Sequence, residues 1–327
     1  MLPAAASAAT GAAHAVAGQV AGVSSLSSVQ CPTAKTCVAV GVDSSLNGKS
    51  VIITAATGAA KAWSGKLANQ AMHDVACPTA TTCLAVADDA VATVAVSTGA
   101  MKVTAKPMPP AGDIVAMDRV ACPSATTCYA VGFEGPTFSN TKAIVFALSA
   151  AGKVLAKRTS KGKGVGSIAC PSSTLCLISD NLPTGLAIQQ LNNGQFGTSH
   201  TLPANTFIQS IACFNASLCY ALGGKTTGSP VVADELFPVN PATGAPGAAI
   251  ALSNFDGTGL TCISATECRI VGSVTPAFTP AVLNVTNGKA ATPAGEPGSS
   301  LDGIACATTA LCYAVGSNST GAIVDKV

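Results

Sequence analysis

Short apolar stretches recur along the whole chain, and turn-forming residues separate them. Val, Ile, Leu and Ala fill most of the apolar positions, whereas Gly, Pro, Ser and Thr are common in the intervals. Because β-branched residues favour strands and Gly and Pro interrupt them, this pattern predicts strands and turns. Within one stretch it predicts four consecutive strands, at Arg119–Ala121, Cys128–Phe133, Ala143–Leu148 and Lys153–Arg158.

The four-strand pattern occurs seven times, and pairs of cysteines mark its copies. All 14 cysteines belong to such pairs, with five residues inside each: Cys31 with Cys37, Cys77 with Cys83, Cys122 with Cys128, Cys170 with Cys176, Cys213 with Cys219, Cys262 with Cys268, and Cys306 with Cys312. The first cysteines of successive copies lie from 43 residues (Cys170 to Cys213) to 49 residues (Cys213 to Cys262) apart. Four antiparallel strands in about 45 residues are typical of one propeller blade.

We therefore predict an all-β fold: a seven-bladed β-propeller with four-stranded blades, occupying residues 1–327 as a single domain. The cysteines of each pair are expected to face each other across the first hairpin of a blade, within reach of a disulfide bond. The copies start near Ser27, His73, Asp118, Gly166, Gln209, Thr258 and Asp302.

The two ends of the chain complement each other. The last copy stops after its third strand, and Thr10–Val16 resembles Thr57–Trp63, the last turn and strand of the first copy. We expect the N-terminal segment, residues 1–23, to supply the closing strand of the last blade. This segment lacks the basic start and strong apolar centre of a signal peptide, so we expect a mature form whose export signal has been removed.

The cysteine spacing favours disulfides over a metal centre. Zinc sites usually pair cysteines two to four residues apart and gather four ligands, and the chain has only three histidines. A Cys-x-x-Cys redox motif is also missing from the sequence. We predict one structural disulfide per blade, which implies an oxidising compartment: a secreted, extracellular or cell-surface location.

The charge and hydropathy of the chain exclude two classes of partner. The formal net charge is +2, far from the basic field that nucleic-acid binding requires. No apolar run of about 18 residues is present, so no membrane span is predicted. Phosphate-binding, nucleophile-elbow and zinc-protease motifs are likewise missing from the sequence.

Polar residues gather where the predicted strands meet one face of the disc. The candidate ligand-binding residues are His73, Asp74, Asp118, Arg119 and Asp302 at the strand entries, and Asp43, Asp89 and Glu134 at the exits. One interpretation is solvated loop ends. The other is a shallow site near the channel mouth for a polar ligand or for Ca²⁺, and no other cofactor is predicted.

A second departure from the repeat is basic. Residues 153–163 hold five of the 17 lysines and arginines, which indicates a solvated outer strand and loop. Contact with an acidic polysaccharide is the functional alternative.

The block Cys122-Pro-Ser-Ala-Thr-Thr-Cys128-Tyr-Ala-Val-Gly132 resembles the repeats of secreted bacterial β-propeller proteins, which are grouped loosely with BNR or sialidase-like and WD40 or YVTN-like propellers. The resemblance covers nearly the whole chain and implies the fold. The chain has no Ser-x-Asp-x-Gly-x-x-Trp box and only three arginines, so sialidase activity is not predicted.

Three hypotheses about function follow, and each belongs to a different class. The first is a non-enzymatic binding or scaffold module that presents one face to a glycan, a peptide or protein, or a cell-surface polymer. The second is self-association into a filament, in which the N-terminal strand completes the blade of a neighbouring chain. The third is a polysaccharide hydrolase or lyase that uses acidic groups such as Asp118, Glu134 or Asp302.

Overall fold

The computed structural model describes residues 18–107, 112–226, 234–295 and 299–327. In this part of the chain seven antiparallel sheets follow one another, and no helix occurs. Within each sheet the strand order follows the chain, and the first strands of neighbouring sheets lie against each other. We name the strands of a blade A to D from the centre outward. The predicted seven-bladed, all-β propeller is confirmed.

Blades one to three contain, in chain order, β1 (Ser25–Thr33), β2 (Thr36–Val42), β3 (Gly48–Thr54), β4 (Ala59–Ala62), β5 (Asp74–Ala76), β6 (Thr82–Val86), β7 (Val91–Ala95), β8 (Met101–Ala105), β9 (Ile114–Ala121), β10 (Thr127–Thr137), β11 (Asn140–Ser149) and β12 (Val154–Thr159). Blades four and five contain β13 (Val165–Ala169), β14 (Leu175–Leu182), β15 (Gly185–Asn192), β16 (Gln195–Thr201), β17 (Thr206–Asn215), β18 (Leu218–Lys225), β19 (Glu235–Val239) and β20 (Ile250–Ala251).

Blades six and seven contain β21 (Phe255–Cys262), β22 (Glu267–Val274), β23 (Thr279–Thr286), β24 (Lys289–Ala290), β25 (Ala294–Gly295), β26 (Ser299–Thr308), β27 (Leu311–Asn318) and β28 (Gly321–Lys326). Both β24 and β25 pair with β23, so two short segments share the outer position of blade six.

The hydrophobic core lies between the blades. Strand B is buried on both faces because its alternate side chains enter the layers on either side. In β2, Cys37 and Ala39 pack toward blade seven, whereas Val38 and Val40 pack toward blade two. These central strands therefore need apolar residues at every position, which is the source of the short apolar runs in the sequence.

In most repeats a glycine lies four residues after the second cysteine. A β-bulge in strand A explains why no side chain fits at this position. A Cβ atom on Gly41 would lie 2.0 Å from the carbonyl oxygen of Ser25, and one on Gly132 would lie 1.9 Å from that of Ala116. The register of strand A shifts at this point, between Leu26 and Ser28 in blade one. The bulge brings the backbone of strand A too close for a side chain.

Every cysteine takes part in the disulfide predicted for it, and none is free. The Cα atoms of each pair lie 3.8 to 3.9 Å apart across the A–B hairpin. From blade one to blade seven, the bonds join Cys31 to Cys37, Cys77 to Cys83, Cys122 to Cys128, Cys170 to Cys176, Cys213 to Cys219, Cys262 to Cys268, and Cys306 to Cys312. The predicted pairing is confirmed, and seven short-range disulfides indicate an oxidising environment.

The second cysteine of each pair is a core residue as well as a disulfide partner. It lies on strand B, and its side chain is fully or almost fully buried in every blade: Cys37, Cys83, Cys128, Cys176, Cys219, Cys268 and Cys312. The first cysteine lies near the end of strand A, next to the A–B turn, and is only partly buried. Each disulfide thus connects the channel strand to the core between the blades.

The described part of the N-terminal segment lies against the last blade. The amide of Val20 donates to the carbonyl of Ala322 at 3.0 Å, and the amide of Ala322 donates to the carbonyl of Val23 at 3.0 Å. Two residues of the segment thus bond to β28. The predicted closing strand itself, Thr10–Val16, lies outside the described residues.

The propeller has two distinct faces. On one face the B–C turns contact residues near the start of an A strand. The amide of Met117 in β9 donates to the carbonyl of Asp88 at 3.1 Å, and the amide of Thr275 donates to the carbonyl of Asn254, just before β21, at 2.8 Å. We call this the B–C face. On the other, the A–B face, the A–B turns contact the C–D turns, as in the 3.0 Å bond from Val96 to Thr81. In the described ranges, no helix long and apolar enough to cross a membrane is found.

Candidate functional site

Strand A of every blade lines the central channel. One lining residue per blade lies three positions before the first cysteine of its repeat, and we call this set the inner ring. Its members are Ser28, Asp74, Arg119, Ser167, Ser210, Gly259 and Gly303. The cavity within the channel has a volume of about 340 Å³. Charge is distributed unevenly around the channel wall, because the carboxylate of the inner ring, Asp74, and its guanidinium, Arg119, lie on neighbouring blades.

Crowding explains the two glycines of the inner ring. A Cβ atom on Gly303 would lie 3.1 Å from the Cα atom of Ser28, and one on Gly259 would lie 3.0 Å from the carbonyl oxygen of Asp302. Strand A of blades six, seven and one therefore leaves little room for side chains. The polar side chains of the ring consequently belong to blades one to five.

Asp74 joins three blades. One carboxylate oxygen accepts a 2.6 Å hydrogen bond from the hydroxyl of Ser28 in blade one, and the other accepts a 2.8 Å bond from the amide of Val120 in blade three. Burial raises the pKa of this carboxyl, while the Arg119 guanidinium and the two hydrogen bonds oppose the rise. The arrangement holds neighbouring A strands in register around the channel.

The same link recurs elsewhere in the ring. The hydroxyl of Ser167 accepts a 2.9 Å bond from the amide of Ile211 in the next blade, which is the counterpart of Val120. In blade six the hydroxyl of Thr258 donates to the carbonyl of Leu301 in blade seven. Polar residues along strand A thus have a structural role, and Asp74 differs from its counterparts by adding a negative charge.

A charged cluster lies at the mouth of the channel between blades two and three. The ring of His73 contacts Asp88 at 2.8 Å, and the Arg119 guanidinium donates to the backbone carbonyl of Asp118 at 2.9 Å. Burial raises the pKa of the Asp118 carboxyl; Arg119 and His73 oppose the rise, and Asp88 adds to it. The structure therefore brings four predicted residues together: His73, Asp74, Asp118 and Arg119.

Asp302 lies at the opposite side of the channel, in blade seven. It lines the same cavity, and desolvation by the surrounding protein raises the pKa of its carboxyl. The channel mouth thus carries acidic groups on both sides and a single guanidinium.

Three predicted residues lie away from this cluster. Asp43 closes its own B–C turn by accepting bonds from the amides of Ser45 and Asn47, at 2.9 and 3.0 Å, and the bond from Asn47 lowers the pKa of its carboxyl. Asp89 is half-buried in the B–C turn of blade two. Glu134 is buried within β10 and pairs with Lys157 of β12.

No group of three or more His, Cys, Asp or Glu side chains in the described ranges is arranged to hold a metal ion. The acidic residues of the channel mouth are spread over different blades or bonded to backbone groups. This geometry gives the calcium prediction no support in that part of the chain.

The central hairpin of blade three projects from the B–C face. Its strands β10 and β11 contain 11 and 10 residues, whereas the corresponding β6 and β7 of blade two contain five each. At its tip, the side chain of Phe138 is 80% exposed and meets the ring of Phe133 edge-on, with ring centres 6.0 Å apart. The hairpin forms a wall that the repeat pattern alone does not require.

A cleft lies between this wall and blades four and five. Its volume is about 530 Å³. Phe133, Phe138 and Phe207 supply aromatic surface, and Lys163 and Asp118 lie at its edge. Three of the nine phenylalanines in an aromatic-poor chain thus line one cleft. An apolar cleft with a few polar groups is the usual form of a ligand site.

Two other B–C turns expose large apolar side chains in a strained conformation. Seven non-glycine residues of the described chain have positive φ, and five are asparagines, which tolerate it: Asn69, Asn193, Asn205, Asn254 and Asn287. The other two are Leu46, with φ of 59°, and Phe278, with φ of 52°. Leu46 is 65% exposed and Phe278 48% exposed.

The aromatic cleft was missed by sequence reasoning. The candidate residues that the sequence predicts are charged, and the predicted second strand of blade three ends at Phe133. The signal that was available is Phe138, a large apolar residue in a turn-rich stretch with Gly135 and Pro136 shortly before it. The basic stretch is located as predicted, on an outer strand and loop, and its Lys163 reaches the cleft.

Comparison with solved structures places the chain among β-propellers. The WD40 β-propeller domain of Doa1 is similar over 96% of this chain and 97% of that chain, with a TM-score of 0.70 and 10% identity. A chain of the mitotic checkpoint complex is similar over 99% and 98%, with a TM-score of 0.68 and 11% identity. The likeness is one of fold.

A third similar structure is YCF48 bound to D1 peptide, with a TM-score of 0.63, 10% identity and coverage of 95% of this chain and 94% of that chain. No protein-family model matches the chain. No curated protein sequence matches it either. The propeller fold is compatible with a binding or scaffold role, and the predicted resemblance to WD40-type propellers is confirmed for the fold.

Proposed function

We propose that this chain is a non-enzymatic, secreted binding module that presents its B–C face to a partner protein at or beyond the cell surface. The observation that carries the proposal is the placement of exposed apolar side chains. Leu46, Phe138 and Phe278 all occupy tips of B–C turns, in blades one, three and six. They surround the channel mouth on a single face.

Two of these side chains, Leu46 and Phe278, oppose folding rather than assist it. Leu46 and Phe278 hold positive φ, where a bulky residue is disfavoured and asparagine or glycine fits better. Their apolar surface also faces water. Strained, exposed apolar residues on one face are typical of a surface that binds a partner.

The disulfides support the location. Seven structural disulfides persist in an oxidising compartment and are rare in a reducing cytosol. The disulfide across each A–B hairpin also restrains the A–B face, whereas no disulfide restrains the B–C turns of the described chain. Secretion of the chain is therefore part of the proposal.

A protein or peptide partner is favoured over a glycan. The exposed groups at the B–C tips are leucine and phenylalanine, which match apolar side chains of a partner better than sugar hydroxyls. Among the similar folds, YCF48 is bound to a peptide. Glycans and surface polymers are the alternatives that the experiment below distinguishes.

The test is a binding screen of peptide and glycan arrays with three versions of the secreted, oxidised protein. These are the natural chain, a triple variant that combines Leu46→Ser, Phe138→Ser and Phe278→Ser, and the single variant Phe214→Ser. Phe214 is 41% exposed on the A–B face and serves as the matched control. We expect peptide signals that persist in the control and vanish in the triple variant. Signals retained by the triple variant, or none at all, would refute the proposal.

Filament formation by strand donation stays a prediction. The described residues Val20 and Val23 bond to β28, and the donated strand would be Thr10–Val16, outside the described part of the chain. Deleting residues 1–17 and imaging the product by negative-stain electron microscopy tests it, since polymers that survive the deletion exclude this mechanism.

A further inference from the structure

We infer that the cleft between the central hairpins of blades three and four binds an extended peptide segment in which a large apolar side chain stands next to an acidic one. This inference rests on the proposed function and adds the chemistry of the ligand. It follows from three features: the aromatic wall, the unpaired Lys163 at the rim and the shape of the projecting hairpin.

The aromatic walls demand an apolar occupant. Phe133 and Phe138 meet edge-on, and the ring of Phe138 is 80% exposed, so much of its surface has no partner within the chain. Phe207 of blade five also lines the cleft, although its side chain packs against the core between blades five and six. A phenylalanine or leucine side chain placed against Phe133 and Phe138 would bury apolar surface, the contribution that dominates the energy of protein interfaces.

The hairpin is built to form this wall. Phe133 and Thr141 lie on the side of the hairpin that faces blade four. Glu134 and Lys142, which pair with each other across the hairpin, lie on the side that faces blade two. The hydroxyl of Thr141 donates to the carbonyl of Lys163, which anchors the wall to the next connection. The cleft is therefore a formed feature with a volume of about 530 Å³, within the usual range for ligand sites.

The blade-four side of the rim carries positive charge that has no internal partner, whereas Asp118, the carboxylate that also lines the cleft, lies beside Arg119 and His73. Residues 160–164 are fixed on both sides, because the amide of Ala143 donates to the carbonyl of Gly162 at 2.7 Å and the amide of Lys163 donates to the carbonyl of Asn181 at 2.8 Å. The side chains of Lys161 and Lys163 are exposed, and neither belongs to an ion pair found among the described residues. By contrast, Lys157 is bound to Glu134.

This charge selects an acidic neighbour for the apolar side chain. A carboxylate beside Lys163 gains an attractive interaction and fixes the direction of the peptide in the cleft. The side chain of Asn181, on β14 across the cleft from the wall, is exposed, and an amide can pair with the peptide backbone. The site thus combines an apolar anchor with polar groups that orient it.

The probe is a short blocked peptide with a central phenylalanine flanked by glutamates, compared with one that has lysines in their place and one with a central serine. Binding to the oxidised full chain is measured by isothermal titration. We expect the glutamate peptide to bind, the serine peptide to bind at least about tenfold more weakly, and the lysine peptide to bind weakly.

Two variants and a matched control locate the binding. Phe138→Ser should weaken binding of the glutamate peptide at least about tenfold. Lys163→Glu should weaken binding of the glutamate peptide and reverse the preference between the two peptides, so that the lysine peptide binds better than the glutamate peptide. Lys142→Glu changes the same charge on the far side of the same hairpin and should leave binding unchanged. All three positions are solvent-exposed, and circular dichroism verifies folding.

The outcomes separate this inference from the proposed function. Failure of the glutamate peptide to bind, or equal effects of Lys163→Glu and Lys142→Glu, overturns the cleft as its site. If combining Leu46→Ser with Phe278→Ser abolishes peptide binding while Phe138→Ser and Lys163→Glu do not, the B–C turns of blades one and six form the binding surface and the cleft does not. If the array signals persist in the triple variant, the proposed function itself fails.

Discussion

The hydroxyl of Tyr313 donates a 2.6 Å hydrogen bond to the carbonyl oxygen of Ala55, and this bond joins the last blade to the first. Tyr313 is fully buried in the layer between blades seven and one, directly after Cys312, the second cysteine of its repeat. The two residues are far apart in the chain, so the bond forms only when the ring closes. Closure therefore involves side chains in addition to the N-terminal segment.

Removing that hydroxyl should weaken the closure of the ring. We expect Tyr313→Phe to lower the free energy of unfolding by about 1 kcal/mol, because the buried carbonyl of Ala55 loses its donor while the packing is kept. Chemical denaturation measured by circular dichroism provides the value. Tyr220→Phe, at the corresponding position of blade five, is the control. An equal loss in both variants would mean that the bond contributes nothing specific to closure.

Asp74 should contribute more to stability than its counterpart Ser167. Asp74→Ala removes two hydrogen bonds between blades and leaves the amide of Val120 unpaired, so we expect a loss of about 2 kcal/mol. Ser167→Ala removes one such bond, to Ile211, and should lower stability by about 1 kcal/mol. Denaturation curves of the two variants decide the order. Equal losses would show that the charge and the second bond of Asp74 add nothing.

A buried carboxyl in blade four should make stability depend on pH. Asp180 stands where most repeats have the bulge glycine; it is fully buried, and its Oδ1 has no hydrogen-bond partner within the described chain. Burial raises the pKa of this group, and the 2.7 Å bond from the Ser160 hydroxyl opposes the rise only in part. The folded state therefore favours the protonated form.

The sign of this effect follows from proton linkage. Because the folded pKa is raised, the folded state holds more protons than the unfolded state between the ordinary pKa of 3.8 and the raised folded value, and this group's contribution to stability is lost as pH rises through the folded value. We expect Asp180→Asn to raise the melting temperature near neutral pH and to lose that advantage below about pH 4. Asp89→Asn controls for the loss of one negative charge. A constant difference across the pH range would contradict the expectation.

The sequence allowed the architecture to be predicted because the cysteine pairs recur with a nearly constant period. Each pair fixes an A–B hairpin, and seven hairpins at the spacing of a blade leave few other folds. The inner charged residues Asp74 and Arg119 were also identifiable, since their counterparts in other repeats are serine or glycine. Repetition made these departures visible.

The cleft was not predictable in the same way, because the relevant hairpin is longer than the repeat requires. The predicted strand Cys128–Phe133 is part of β10, which extends to Thr137. That extension carries Phe138 to the tip of the wall, and it keeps Glu134 inside a strand, where it pairs with Lys157. The length of the B and C strands decides which residues of a B–C turn line the cleft. The alternation of apolar residues in the sequence does not determine that length.

The exposed apolar tips should act oppositely on stability and on binding. Leu46 and Phe278 occupy a left-handed backbone conformation that asparagine tolerates, so we expect Leu46→Asn and Phe278→Asn each to raise the free energy of unfolding by about 0.5 to 1 kcal/mol. The same changes remove apolar surface from the B–C face, so binding to the peptides selected on the array should weaken.

Leu155→Asn is the control for this pair of effects. Leu155 is 57% exposed on the outer strand β12 and has no positive φ, so its replacement should change neither stability nor binding appreciably. Denaturation and titration of all three variants test the relation. If Leu46→Asn or Phe278→Asn were stabilised with binding unchanged, the strain would be incidental to recognition. If either variant were less stable than the natural protein, the replaced leucine or phenylalanine would have a packing role that its exposure does not indicate.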